Sequence, residues 1–231
     1  MTLQSELDAL ERKLPRTDSS LDEVVRRYTT LSSALDALVN KRIVLRDPSH
    51  WDDTNDSYFL ELYKLESSTP SVMAVCYTRA TETYHHWRVF TPSAEGVCIE
   101  INRASLTRSL ATRKNCAGSP VEYLLVRELA QFTPLDLPRL PFAKRVGYKD
   151  EREWRIIGLS DDPTKITMSI PFDPSWVRRI ILNPWMPASL ASNLRKMITA
   201  IDGCGDLTIE ISHLTNSKRW KAAGKKICSK V

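Results

Sequence analysis

The sequence predicts an α+β domain with a mixed, mainly antiparallel sheet and flanking helices. Short segments dense in Val and Ile recur along the chain, and amphipathic helical patterns lie between some of them. Helices and strands do not alternate strictly, which disfavours a doubly wound parallel sheet. The chain shows no internal repeat and no low-complexity tract. We therefore expect one domain over residues 20–217, with a helical extension at 1–19 and a basic extension at 218–231.

The individual elements follow from local patterns. Leucines at helical spacing predict the N-terminal helix within 1–19, and residues 24–29, 31–38 and 43–45 predict a strand, a helix and a strand. The segment 47–57 is rich in Asp and Asn, which predicts a surface loop. Further strands are predicted at 72–78, 96–101, 153–159, 166–170, 179–183 and 207–211. Helices are predicted at 103–113, 121–132 and 188–201.

Composition narrows the class of protein. The 231 residues are 42% hydrophobic and 26% charged, which excludes a disordered chain, a collagen-like repeat and a disulfide-framed miniprotein. No apolar run approaches the roughly 18 residues that a bilayer span needs, and the first residues lack the pattern of a secretory signal. We expect a cytosolic protein with no membrane partner.

The net charge of +5 originates at the C-terminus, where residues 218–231 hold six Lys and Arg side chains and no acid. Such a segment can contact nucleic-acid phosphates. A solvated tail or helix end is the simpler interpretation and the one we favour. The basic segment therefore allows a nucleic-acid partner without requiring one.

The cysteines and histidines do not predict a metal site. Five cysteines include no Cys-x-x-Cys pair, and the four histidines lack the spacing of a helical ligand pair. Cys76 and Cys98 lie in apolar runs and are expected in the core. The glycines form neither a phosphate loop nor a dinucleotide-binding loop.

Two clusters carry a functional signal. Glu151, Glu153 and Arg155 alternate along the sequence, so a strand would place them on one face, beside the core. The alternative, given nearly equal weight, is an exposed strand end paired with Lys144 and Arg145.

The second cluster runs from His85 to Phe90. It combines imidazole, indole and guanidinium groups, which suit a planar ligand: Trp87 could stack on a ring, while His86 or Arg88 holds a phosphate. The alternative places Trp87 and Phe90 in the core and leaves the histidines solvated, and for Trp87 alone we favour the core.

Several motifs resemble a bacterial family of domains of unknown function, the one numbered 2971. The similar segments are Arg27-Tyr28-Thr29, Cys76-Tyr77-Thr78, His86-Trp87-Arg88-Val89-Phe90, Tyr148-Lys149-Asp150-Glu151-Arg152-Glu153-Trp154-Arg155 and Ile180-Ile181-Leu182-Asn183-Pro184-Trp185. The resemblance covers most of the chain, from about Val25 to Trp220. It implies a fold and a cluster of positions, but no reaction.

A weaker resemblance of motif order is to ADP-ribosyltransferases. Arg27, Tyr28 and Thr29 are similar to their first ligand-binding motif, and Glu153 matches the strand-associated glutamate of their last motif. This resemblance implies NAD as the substrate, nucleotide contacts from Arg27 and Thr29, and a carboxylate that stabilises an oxocarbenium-like transition state.

The leading hypothesis is therefore an NAD-consuming enzyme. Glu153 would be catalytic, and the ligand-binding set would be Arg27, Tyr28, Thr29, His86, Trp87, Arg88, Glu151 and Arg155. Substituting Glu153 with Gln is expected to stop nicotinamide release with little change in melting temperature. The alternative is a noncatalytic module that binds nucleic acid or protein through its Trp and Arg side chains and its basic terminus.

Overall fold

A computed structural model describes residues 23–91 and 93–228, with the side chain of residue 228 excluded. Its strands are β1 Val24–Thr30, β2 Arg42–Arg46, β3 Ser71–Thr78, β4 Gly96–Asn102, β5 Cys116–Pro120, β6 Glu122–Leu124, β7 Ala143–Arg145, β8 Glu153–Ser160, β9 Thr167–Pro171, β10 Val177–Leu182 and β11 Ile209–Ile211. Its α-helices are α1 Leu31–Val39, α2 Thr54–Glu66, α3 Tyr84–Phe90, α4 Arg103–Ala111, α5 Val126–Leu129, α6 Ala188–Thr199 and α7 Lys218–Cys228. Short 3₁₀ helices include Pro48–His50, Pro134–Phe142 and Val146–Glu151.

The main sheet is mixed and mostly antiparallel, which confirms the predicted α+β fold class. Strand β10 pairs with β11 in parallel, and the other pairings within this sheet are antiparallel. A small parallel ribbon joins β6 and β7.

The sheet forks at β3. One edge of β3 pairs with β8 along its whole length, from Ser71 to Thr78. The opposite edge is shared, because β1 pairs with it at Thr78 and β2 pairs with it at Ala74. From there β1 continues into β4, β10 and β11, whereas β2 continues into β9. Helix α1 connects the two branches in sequence.

Three apolar clusters hold the described elements together, and the smallest contains Trp87, Cys98 and Ile181. The largest one joins strands from both branches to buried side chains of α1 and α6, such as Leu38 and Leu194. A smaller cluster under α2 includes Leu60, Tyr63 and Phe142. Burial of such side chains is the dominant stabilising contribution in a domain of this size. The clusters fix the strands whose ends carry the polar groups described below.

Some sequence-based boundaries were wrong. The segment expected to be a loop at 47–57 contains the start of α2, because Asp53 caps that helix by accepting a hydrogen bond from the Asn55 N–H at 3.1 Å. Thr83 caps α3 in the same way through the His86 N–H. The helix expected at 121–132 divides into β6 and α5, because β6 pairs with β7. The predicted N-terminal helix lies outside the described residues.

Candidate functional site

A cavity of about 490 Å³ opens where β1, β3 and β8 meet the segment that leads into α2. Among the described residues, its wall carries the carboxylates of Asp52, Asp53, Asp56, Glu151 and Glu153, the cationic side chains of Arg26 and Lys144, and the aromatic rings of Tyr28, Trp51, Tyr77, Phe90 and Tyr148. We call it the acidic cavity, because carboxylates outnumber permanent cations in its wall.

The start of β8 places Glu153 in this wall. The preceding residue, Arg152, adopts a left-handed conformation with φ 45° and ψ 46°, which turns the chain from the 3₁₀ helix into the strand. The Arg152 carbonyl accepts a hydrogen bond from the Arg79 N–H at 2.9 Å. The Glu153 N–H donates to the Tyr123 hydroxyl oxygen at 2.7 Å. Backbone geometry thus fixes the position of the Glu153 side chain.

Arg155, which is fully buried, anchors two of the carboxylates. Its terminal nitrogens donate to both carboxylate oxygens of Asp56, at 2.8 and 2.6 Å. Its Nε donates to Oε1 of Glu153 at 2.8 Å, and Nη1 also donates to the Pro141 carbonyl. A guanidinium with this many charge-assisted hydrogen bonds holds both partners in one geometry.

Lys144 connects the same carboxylates from the other side. Its ammonium lies 2.8 Å from Oε2 of Glu151, 3.3 Å from Oε2 of Glu153 and 3.7 Å from Asp56. It also lies 4.6 Å from the centre of the Tyr148 ring. Three carboxylates therefore share two cations, and this buried group retains a negative charge when all its members are ionised.

The carboxylates differ in proton affinity. Burial raises the pKa of Glu153, but the charge and hydrogen bond of Arg155, together with Lys144, outweigh burial and lower the pKa to about 2. For Asp56 and Glu151, burial is the stronger influence, and the pKa of each is raised despite Arg155 and Lys144. One carboxylate thus stays ionised beside two that bind protons more readily. Such divergence is typical of paired carboxylates with separate roles in acid–base chemistry.

The structure brings several predicted residues to the acidic cavity. Glu151, Glu153 and Tyr28 line it, and Arg155 lies behind Glu153. The Tyr28 ring stacks on His86, with centroids 5.2 Å apart and planes 13° apart. His86 is buried, and its Nδ1 lies 2.5 Å from the Thr83 hydroxyl. Burial lowers the pKa of His86, which favours the neutral ring.

Of the predicted ligand-binding residues, Arg27 and Thr29 lie on the face of β1 that is turned away from the acidic cavity. Successive side chains of a strand point to opposite faces, and here Arg26 and Tyr28 face the acidic cavity. Arg27 lines a different cavity, beside α1, and Thr29 lies on the same face of β1 as Arg27. The sequence pattern predicted the strand but not which of its two faces borders the acidic cavity.

Trp87 and Arg88 also lie away from the acidic cavity. Trp87 is fully buried and donates from Nε1 to Glu82 at 2.7 Å, so its predicted stacking role does not fit this position. Arg88 is exposed, and its guanidinium lies 3.9 Å from the centre of the Trp185 ring. Both residues belong to α3, which the sequence analysis did not identify as a helix.

Several residues of the site were not predicted as ligand contacts, and three of them had been given a different setting. Asp56 was assigned to a surface loop, yet its position on α2 buries it against Arg155. Lys144 was expected only as a partner in surface ion pairs, and the pairs form in a buried setting. Cys76 was expected in the core but is exposed and lines the acidic cavity. The acidic residues at 52–56 were the available signal for this part of the wall.

Within the described residues, no helix is long and apolar enough to span a bilayer. In the same part of the chain, His, Cys, Asp and Glu side chains form no group of three or more that could hold a metal ion.

Comparison with known proteins gave limited similarity. No family model matches the chain, so the resemblance to the 2971 family stays a prediction, and no curated protein matches it. Two solved structures show a partial likeness. DarT from Thermus sp. 2.9 in complex with NAD+ has a TM-score of 0.43 at 6% identity, covering 85% of this chain and 98% of that chain. The same protein in complex with ADP-ribosylated ssDNA has a TM-score of 0.44 at 8% identity, covering 86% and 98%.

Proposed function

We propose that the acidic cavity binds the nicotinamide riboside part of NAD and that the chain breaks the bond between nicotinamide and ribose. The nicotinamide ring of oxidised NAD is planar and positively charged. The exposed ring of Phe90 lines the cavity and can stack on such a ring, and an excess of carboxylates attracts its charge. The negatively charged phosphates of NAD would then lie toward the mouth of the cavity, away from these carboxylates.

The observation that carries this proposal is the placement of Glu153 in the wall of the acidic cavity, where Arg155 and Lys144 hold its carboxylate. When the glycosidic bond breaks, its electron pair passes to the ring nitrogen, and positive charge develops on the ribose. An ionised carboxylate, held in place by Arg155, stabilises that charge without reorganising during the reaction. The nicotinamide leaves as a neutral molecule.

Glu151 suits the second half of the reaction. Water or the hydroxyl or amine of an acceptor must attack the ribose carbon and lose a proton. A carboxylate whose pKa is raised by burial is a better base than an ordinary one. We therefore assign Glu151 the role of the base that accepts this proton. Lys144 lies between the two glutamates and limits their mutual repulsion.

A binding module remains the second candidate, and helix α7 is the observation that favours it. The helix carries Lys218, Arg219, Lys221, Lys225 and Lys226 and no acid, and the Trp220 side chain is 82% exposed. Cations beside an exposed aromatic ring suit contacts with single-stranded nucleic acid.

The test is nicotinamide release from NAD by the purified full chain, with water and with a panel of hydroxyl and amine acceptors. We expect release by the wild type and a loss of about 100-fold or more in Glu153→Gln, as is typical when a transition-state charge contact is removed. Glu61→Gln is the matched control, because Glu61 is an exposed carboxylate on α2.

The charge of the nicotinamide ring allows an independent test by ligand binding. Oxidised NAD should raise the melting temperature more than NADH, whose dihydronicotinamide ring is neutral. Absence of release under every condition, with equal shifts from the two cofactors, would reject the proposal and leave the binding module.

A further inference from the structure

A second cavity lies beside the fork of the sheet and contrasts in charge with the acidic cavity. Its volume is about 360 Å³, and it is bounded by β1, α1 and β2. Its wall consists of Arg27, Ser32, Ser33, Asp36, Ala37, Arg42, Val44 and Arg46. We call it the arginine cavity. It shares no lining residue with the acidic cavity.

The local structure explains why three arginines meet here. Arg42 and Arg46 lie on the same face of β2 as Val44, because every second side chain of a strand points the same way. Arg27 comes from β1, on the face of that strand opposite Tyr28. Helix α1 follows β1 directly and contributes residues of its first two turns.

One carboxylate does not neutralise these three cations. Asp36 is engaged by Arg42, through hydrogen bonds of 2.8 and 3.2 Å, and by the Asn40 amide at 2.7 Å. Those contacts lower the pKa of Asp36, so it is ionised and already paired. Among the described residues, the guanidinium groups of Arg27 and Arg46 have no hydrogen-bond acceptor. Two positive charges thus remain facing one cavity.

Hydroxyl groups add donors at the same place. The side chain of Ser32 lies 3.0 Å from the Thr30 hydroxyl, and the Thr30 hydroxyl donates to Ser33 at 3.0 Å. The hydrogen of the Ser33 hydroxyl is not used in either contact and can donate to a ligand. Guanidinium and hydroxyl donors together are the usual partners of a phosphate group.

We propose that the arginine cavity binds a small phosphorylated molecule through its phosphate group. A phosphomonoester carries close to two negative charges at neutral pH, which matches the net charge of +2 that the three arginines and Asp36 give the cavity wall, whereas a carboxylate would balance half of it. The volume lies at the lower end of the range for ligand pockets, which favours a small ligand. The inference does not depend on the reaction proposed for the acidic cavity.

The test is calorimetric titration of the full chain with phenyl phosphate, inorganic phosphate and acetate. We expect saturable binding of both phosphates, about tenfold or more tighter than binding of acetate. Arg46→Gln should weaken phosphate binding by about tenfold or more, because Arg46 is exposed and its replacement leaves the core intact. Arg178→Gln, at an exposed arginine of β10, is the matched control and should leave the affinity unchanged.

Arg27 is tested by a pair of variants, because it is half-buried. Arg27→Lys keeps the charge but loses the two-pronged geometry, so it should bind phosphate more weakly than the wild type and more tightly than Arg27→Gln. The melting temperature without ligand verifies that each variant is folded. Absence of saturable phosphate binding by the wild type, or equal affinity in the wild type and Arg46→Gln, would overturn the inference.

Discussion

Replacing Glu153 with Gln should destabilise the fold, in contrast to the unchanged melting temperature expected from the sequence. Glu153 is buried and accepts a hydrogen bond from Arg155, which is itself fully buried. The amide of Gln can still accept that hydrogen bond, but it removes the negative charge. Arg155 then keeps its two bonds to Asp56 but loses its charge-assisted contact with Glu153, a type of contact that is strong in a buried setting.

The pKa of Glu153 gives the expected size of this loss in folding stability. Lowering from its usual 4.5 to about 2 corresponds to roughly 3 kcal/mol of folding stability. Since the folded-state pKa is the lower one, this stability is present above about pH 4.5 and is lost as the pH falls toward about 2. For a chain of this length, a loss of about 3 kcal/mol lowers the melting temperature by roughly 6–12 °C.

Chemical unfolding of the wild type and Glu153→Gln at two pH values tests this reasoning. The difference in unfolding free energy should be roughly 3 kcal/mol at neutral pH and about 1 kcal/mol smaller at about pH 4. Asp56 and Glu151, whose pKa values are raised, act in the opposite direction, but both are present in the two proteins. Glu61→Gln, an exposed control, should change stability by less than about 1 kcal/mol. A difference that matches this control, or that does not shrink in acid, would refute the argument.

Other predictions concern separate parts of the fold. Gly118→Ala should lower the free energy of unfolding by about 1–3 kcal/mol in chemical unfolding, because an added Cβ would lie 2.6 Å from the Trp154 ring. Gly147→Ala is the control and should leave that free energy nearly unchanged, because no atom lies within 4 Å of its added Cβ. Deleting residues 218–231 should leave the melting temperature within about 2 °C, since the side chains at 218–227 are exposed, and should flatten any salt dependence of nucleic-acid binding. A truncated chain that unfolds would show that α7 is structural. Cys76 should react slowly with iodoacetamide at neutral pH although its side chain is exposed to the acidic cavity, because desolvation by the cavity wall and the charge of Glu153 raise its pKa. Rapid alkylation in the native state would contradict that assignment.

The fold class could be predicted because strand patterns depend on local alternation. Strands β3 and β8 were located to within a residue or two, since β3 is mostly apolar and β-branched and β8 contains Trp154 and the pair Ile156-Ile157. Helix α3 was missed because its seven residues include two histidines and an arginine, which give no clear apolar face. Helix α2 was missed because its Asp- and Asn-rich start is typical of a loop as well as of a cap.

The site could be predicted only in part, for a different reason. Glu153 and Arg155 are two residues apart on one strand, so their shared face follows from the sequence. Asp56 and Arg155 are 99 residues apart, and their contact depends on how α2 packs against the sheet. Which face of β1 borders the acidic cavity likewise depends on sheet topology. Long-range pairing of this kind leaves no mark in local spacing.

The left-handed residue ahead of β8 sets backbone strain against the accurate placement of a carboxylate in the acidic cavity. Holding a residue with a Cβ in the conformation of Arg152 costs about 1 kcal/mol, a penalty that glycine does not incur. Glycine also populates many other conformations, so Arg152→Gly would allow the carboxylate of the next residue to sample more orientations. We therefore expect Arg152→Gly to relieve backbone strain at this residue and at the same time to loosen the carboxylate on which the proposed reaction depends.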